Sequence, residues 1–469
     1  MKFLSYTSKK KQNKTIAILI YIIIAIIIGL GAFVFLSPTF EKNSPKISLK
    51  NDVYWNLKSP LKINLSDDNE ISSYSITYFD KNNEVKLDTK VLSSTKGSID
   101  LNIIPPNIDF DRKTNTAILK VEVTDTSKWN FFRGNKIIQD INVKIDRKRP
   151  EVNVISNSYL IRQGGSAAVV VEVQDENLKD LYITFNNKEK FELFPFYEDN
   201  FYIAIIAWPI EIDEFKRVNA VAIDKANNKT VTKVPLYIKS LKVKPDDINI
   251  SDRFINQVSK DVLTKSGYDI PNSQEEIFVK QNKDIRQENI NLIKKTARNN
   301  MNKEKISKLD IKTFKRLPGS KTFAGFGERR HYAYNGEKID EAWHLGMDWA
   351  SVKKAKIYTT NDGKVIFSDY LGIYGETIII DHKVGLATLY AHTSRSVVEV
   401  NDEVYSGDYI ANTGSSGAVF GDHLHFGVLV QGIEVNPIEW LSKSWIRDNI
   451  TKTINDAKRV INNKWNKEH

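Results

Sequence analysis

The sequence predicts a mainly β, multidomain fold carried on a single N-terminal transmembrane helix, and three observations lead there. An uncharged apolar run over residues 15–36 is 22 residues long, enough for a helix to cross the ~30 Å hydrocarbon core of a bilayer. Two successive stretches of about a hundred residues are written in short apolar segments broken by Asp, Asn, Gly and Pro, the grammar of β-sandwiches. Helical periodicity is confined to one segment beyond them and to the C-terminus, with strand patterns in between. At 469 residues the chain is also too long for one ordinary core.

Each element has its own justification. Residues 1–14 form a basic tail with five lysines (Lys2, Lys9, Lys10, Lys11, Lys14) and no acid. The apolar run 15–36 is longer than the h-region of about 7–15 residues that a cleaved leader carries, so it reads as an uncleaved signal anchor. The lysines before it orient the N-terminus to the cytoplasm and put residues 38–469 outside.

Residues 38–147 read as a β-sandwich module, with strand patterns at 74–78, 116–123 and 137–145. After the basic turn Arg147-Lys-Arg-Pro150 a second module, 148–243, repeats the pattern at 152–155, 167–173, 181–185, 201–207 and 218–223. Its Gly164-Gly165-Ser166 and Ala222-Ile-Asp-Lys-Ala-Asn227 segments resemble bacterial immunoglobulin-like modules. Residues 244–313 form a helical connector. Ser251 is a cap followed by apolar residues at 254, 255, 258 and 262, and Ser273-x-x-Glu276 is a capping box. This connector is expected either to pack on a neighbour as a spacer or to act as a lid over a site. Strands return over 314–442. Residues 443–469 carry apolar positions at 446, 450, 454, 457, 461 and 465, an amphipathic helix expected to pack on the domain before it.

Charge and composition exclude several classes. The formal net charge is +10, but the basic tail contributes five and residues 443–469 another four, so the body is nearly neutral. No basic stripe marks a folded domain, and nucleic acid is not an expected partner. The chain has no cysteine, which removes disulfides, thiolate-bound zinc and thiol nucleophiles.

Seven histidines are present, and three of them fall with a carboxylate into two short motifs: His344-Leu-Gly-Met-Asp348 and His423-Leu424-His425. Two imidazoles and one carboxylate are the ligand set of a catalytic zinc site, with a fourth position left for water. On a strand, residues two apart share a face, so His423 and His425 can both address one cavity. No H-E-x-x-H occurs, which argues against a helical zinc motif. His392, in Leu-Tyr-Ala-His, is a further imidazole available to handle protons.

H-x-x-x-D, then Tyr-Ala-His, then G-x-H-L-H-F, in that order and spacing, resembles the lysostaphin-type (LytM/M23) zinc metallopeptidases. Phe326-Gly327-Glu328-Arg329, Asn361-Asp-Gly-Lys-Val365, Gly375 to His382 and Asn412 to Gly417 resemble the segments between those motifs, and the agreement covers about 315–441. The resemblance implies a LytM-type β-sheet peptidase domain over 314–442, closed by the terminal helix. It implies one Zn2+ held by His344, Asp348 and His425, with His392 and His423 catalytic beside it. Tyr332, Tyr334 and Trp343 are then candidates to line the substrate groove. The substrate class implied is peptidoglycan stem peptides and cross-links, cut by a zinc-activated water. The place implied is the outer side of a bacterial cytoplasmic membrane, with the two β-modules as a spacer from anchor to wall. The alternative is a non-catalytic LytM-type activator of a separate wall hydrolase. His331 and His382 are expected at the surface or behind the ligands, and His469 at the terminus.

Overall fold

The computed structural model describes residues 9–49, 52–108 and 114–468, so the first part of the basic tail and His469 lie outside the described residues. The chain divides into two compact bodies, one reaching to Arg149 and including Asp224–Asn228, the other formed by Pro150–Ile223 and the residues from Lys229 onward.

The first body opens with the helix Lys9–Leu36, of which Lys14–Leu36 is long and apolar enough to cross a membrane. Its apolar side chains are exposed along the length, as a hydrocarbon surrounding would require. Six strands then join in one sheet, in the order Lys46–Ile47, Leu61–Phe79, Thr116–Asp125, Lys136–Ile145, Asp52–Trp55, with Glu84–Ile103 also paired to Leu61–Phe79. Along Leu61–Phe79 the buried positions switch from Ile63, Leu65 and Ile71 to Tyr74, Ile76 and Tyr78 across an irregularity between Ile71 and Ser73. Strand side chains alternate faces, so the break lets both halves feed one core.

The second body begins with a β-sandwich. One four-stranded sheet holds Glu189–Glu192, Leu178–Phe185, Val218–Asp224 and Lys229–Lys233; the other holds Phe194–Pro195, Phe201–Ala207, Ser166–Gln174 and Glu151–Asn157. Beyond it, a ten-stranded sheet runs in the order Lys321–Ala324, Met347–Ala350, Leu424–Val430, Leu386–Ser396, Glu376–Asp381, Gly363–Tyr370, Glu403–Val404, with three short strands off this path.

Three expectations change here. The connector does not start as a helix: Lys244–Asn249 is a strand, paired in parallel with Glu328–Tyr334. Its helices start where the caps predict, with Ser251 and Ser273 hydroxyls accepting from Phe254 and Glu276 N–H. They bury Ile255, Val262, Leu263, Ile277, Phe278 and Ile293 in one core with Ile379, Leu389, Ala391 and Leu429 of the large sheet.

The C-terminal helix makes its main contacts with the sandwich rather than with the preceding domain. It lies on Glu151–Asn157 and Ser166–Gln174 of the sandwich, placing Ile446, Ile450, Ile454, Ala457 and Ile461 there. Ser166–Gln174 is buried at every position but the last, and an apolar strand with both faces to cover needs that second layer.

Nor is the second module a free spacer. Its core is continuous with that of the large sheet. Ser166 N–H donates to Glu439, Asn436 N–H to Gly164 O, and Glu192 and Gln431 exchange a reciprocal pair of bonds.

Candidate metal centre

Two adjacent strands build the centre. Met347–Ala350 pairs antiparallel with Leu424–Val430 so that Asp348 stands opposite His425, and directly opposite residues share a face. Leu386–Ser396 flanks on the other side, with Ala391 opposite His425 and His392 next along. His344 comes from the loop before Asp348, where Gly346 leaves room: a Cβ there would collide with the His425 ring. His423 precedes the strand and is held by a bridge to Gly414.

The result is three donor atoms around one point. His344 Nε2 lies 3.2 Å from His425 Nδ1 and 3.1 Å from Asp348 Oδ1, and those two are 2.8 Å apart. The edge of a tetrahedron with metal–ligand bonds of about 2.0–2.1 Å is about 3.3 Å, so the three donors fit a zinc-sized ion with one vertex open. His344 Nδ1 donates to Gly325 O at 2.7 Å, which leaves Nε2 as the lone-pair atom.

The electrostatics suit the same use. Burial alone would raise the Asp348 carboxyl, but the charges and hydrogen bonds of His344 and His425 outweigh it and hold it well below the ordinary value. Burial pushes His425 down to about 4 despite Asp348, and burial with the neighbouring His423 and His425 pushes His392 well below its ordinary value. Neutral imidazole and ionised carboxylate are the forms that bind metal.

His392 and His423 stand beside this triangle. Their rings are 4.9 Å apart, and His423 Nε2 is 3.9 Å from Asp348 Oδ1. His392 Nδ1 contacts Ser416 O at 2.8 Å and His423 Nδ1 contacts Gly421 O at 3.0 Å. A carbonyl only accepts, so each Nδ1 carries the hydrogen and each Nε2 is free for proton transfer.

The remaining expected residues separate. Tyr332 is buried against Phe278 and lines a cavity with Asp348 and His423. Trp343 lines a second cavity. Tyr334 lines neither; its hydroxyl donates to Asp252 at 2.6 Å and ties the connector down. His331 contacts Asp247 at 3.1 Å. His382 is buried rather than at the surface, fixed between Asp362 O and Thr388 Oγ1 at 2.8 Å each, and burial lowers it to about 4.

Sequence reasoning missed Arg330, whose Nη2 donates to Asp348 Oδ2 at 3.5 Å. It also missed Tyr374, packed edge-on against His425 at 5.6 Å with its hydroxyl on Glu434. Arg330 directly follows the Phe-Gly-Glu-Arg segment, the one signal that could have drawn attention to it.

Residues 342–437 match Peptidase family M23, and the C-terminal part of the chain is a domain of that family. DD-carboxypeptidase/endopeptidase Mpg of Neisseria meningitidis is 33% identical over 109 residues, covering 23% of this chain and 25% of that one. Murein hydrolase activator EnvC of Escherichia coli is 34% identical over 109 residues, 23% of this chain and 26% of that one. The chain thus aligns with about a quarter of the length of these relatives. A putative peptidase M23 structure from Pseudomonas aeruginosa covers 61% of this chain and 96% of its own, at 15% identity and a TM-score of 0.38.

Proposed function

We propose that the chain is a membrane-anchored zinc metalloendopeptidase that hydrolyses peptide bonds in peptidoglycan stem peptides or cross-links. The observation that carries this reading is the complete set: three donors at tetrahedral spacing, with two further imidazoles presenting free Nε2 atoms beside them. His344, Asp348 and His425 hold the zinc. Bound there, zinc supplies Lewis acidity to the scissile carbonyl and to the attacking water.

His392 and His423 between them take the proton of that water at Nε2 and return it to the leaving amine. Their Nδ1–carbonyl bonds keep them in the tautomer this requires. Arg330 and the buried histidine rings hold Asp348 ionised and oriented. The apolar helix anchors the protein in the bacterial cytoplasmic membrane, with the domain on the peptidoglycan side.

Because some relatives are named activators, the deciding experiment separates cutting from activating. Purified sacculi are digested with the zinc-loaded protein and their muropeptides analysed. New cleaved peptides are expected; intact peptides together with stimulation of an added amidase would assign the activator role instead.

A further inference from the structure

One cavity borders the metal centre, a second lies beside it, and the same two connector residues line both. One, of about 350 Å³, has Asp348 and His423 in its wall; the other, of about 400 Å³, has Trp343 and Glu434. Asn282 and Arg286 border each, so the cavities meet at this pair. The helix widens there into a π-turn over Lys280–Ile285, a distortion that recurs at functional sites.

Asn282 is 2% exposed, and its amide donates to Asp340 Oδ2 at 2.8 Å. Its Oδ1 accepts from Arg286 Nη2 at 2.7 Å and from Nε at 3.2 Å, and its backbone oxygen accepts from Nε at 3.0 Å. One edge of the guanidinium is therefore clamped in place. Among the described residues no carboxylate lies within 4.0 Å of it.

Two of the acids around the second cavity are paired with other cations. Glu189 is paired with Lys294 at 2.6 Å and Arg298 at 2.8 Å, and Glu341 with Arg329 and Lys338 at 2.6 Å each. Asp340 takes the Asn282 hydrogen, and burial pushes Glu434 up to about 7. The guanidinium is held in place by Asn282 rather than by a directly paired carboxylate, with Glu434 the acid on which its charge acts.

An unmet group lies in the first cavity. Gln281, also 2% exposed, has an Oε1 with no hydrogen-bond partner. An unpartnered buried acceptor is costly unless a ligand supplies the donor. A ligand that brings an anion and an N–H together satisfies both groups, and a peptide carrying a free carboxylate does so. Inorganic phosphate brings no N–H, and a peptide with its carboxylates amidated leaves the guanidinium unpaired.

We propose that Arg286 is a specificity-determining residue that receives a free carboxylate of the peptide being cut, while Gln281 Oε1 accepts an amide hydrogen of the same peptide. The proposal rests on the hydrolase reading for its substrate. It places recognition in the connector, outside residues 342–437, so the connector forms a wall of the groove as well as a support.

The test separates recognition from cleavage. The full chain in detergent, stripped of metal, is titrated calorimetrically with a tetrapeptide muropeptide bearing free carboxylates and with its amidated counterpart. The wild type is expected to prefer the free carboxylate by about 10- to 100-fold. Arg286→Ala and Arg286→Gln are expected to erase that preference, with thermal unfolding confirming the fold. Arg286→Lys keeps part of it, because charge without the fork is a poorer partner. Equal binding of the two ligands by the wild type, or preference surviving in a folded Arg286→Gln, overturns the proposal. If the preference is present but the zinc-loaded protein cuts neither ligand nor sacculi, the hydrolase reading falls and the carboxylate site stands.

Discussion

His392 has φ 60°, in the left-handed region that a residue other than glycine enters at a cost of about 1–3 kcal/mol. The strand pairing around it is irregular on both sides, between Glu376 and Ile378 and between Thr393 and Arg395, and the ring is held on Ser416 O. Asparagine tolerates that backbone but brings no imidazole. His392→Asn is therefore expected to keep its melting temperature and its zinc while kcat falls by about 10²–10⁴-fold. His425→Ala is the contrasting case: zinc content by elemental analysis should be lost together with activity, and retained zinc would refute the ligand assignment. Arg330→Met keeps the apolar stem but frees Asp348 Oδ2. Zinc affinity measured by competition with a chelator should fall by about 10–100-fold, the usual consequence of removing a partner behind a ligand.

At the scale of elements, the short helix Pro437–Trp440 is the joint between sandwich and sheet. Its Glu439 is buried, accepts from Ser166 N–H at 2.9 Å, and has Arg162 Nε at 3.8 Å. Burial raises the carboxyl from 4.5 to about 7, against the pull of the Ser166 N–H and Arg162. Below pH 4.5 both folded and unfolded chains hold this proton and nothing is lost. As pH rises through about 7 the unfolded chain has released it first, so stability falls, by up to about 3 kcal/mol. Glu439→Gln keeps the acceptor and removes the titration. Denaturant unfolding across pH 4.5–8 should show a slope in the wild type that flattens in this variant; parallel curves would contradict the account.

For the whole molecule, the core shared by sandwich and large sheet sets the folding unit. Residues 150–469 are expected to express as a soluble protein with one cooperative thermal transition. Residues 314–442 alone, although they enclose the whole metal centre, would expose Phe314, Trp440 and the sheet face that the connector helices cover. Calorimetry of the two fragments decides this, and a sharp, reversible transition for the shorter one would show that the sandwich is dispensable.

Much of this was legible in the chain because it is local. The apolar run, the helix caps at Ser251 and Ser273 and the two-residue strand period depend on neighbours a few positions away. The H-x-x-x-D and H-x-H spacings single out the donor residues before any packing is known. What covers a surface is not local. A strand such as Ser166–Gln174 announces that both its faces are buried, but not that one of them meets a helix nearly 300 positions later. The Arg330–Asp348 contact, the left-handed turn at His392 and the meeting of Asn282, Arg286 and Trp343 around one groove likewise join segments that carry no sign of each other in sequence. The sequence by itself determined the metal-binding chemistry and the apolar anchor, through residue identity and short spacing. Only the tertiary structure decided what surrounds that chemistry, because burial against distant segments sets the charge, orientation and access of each group.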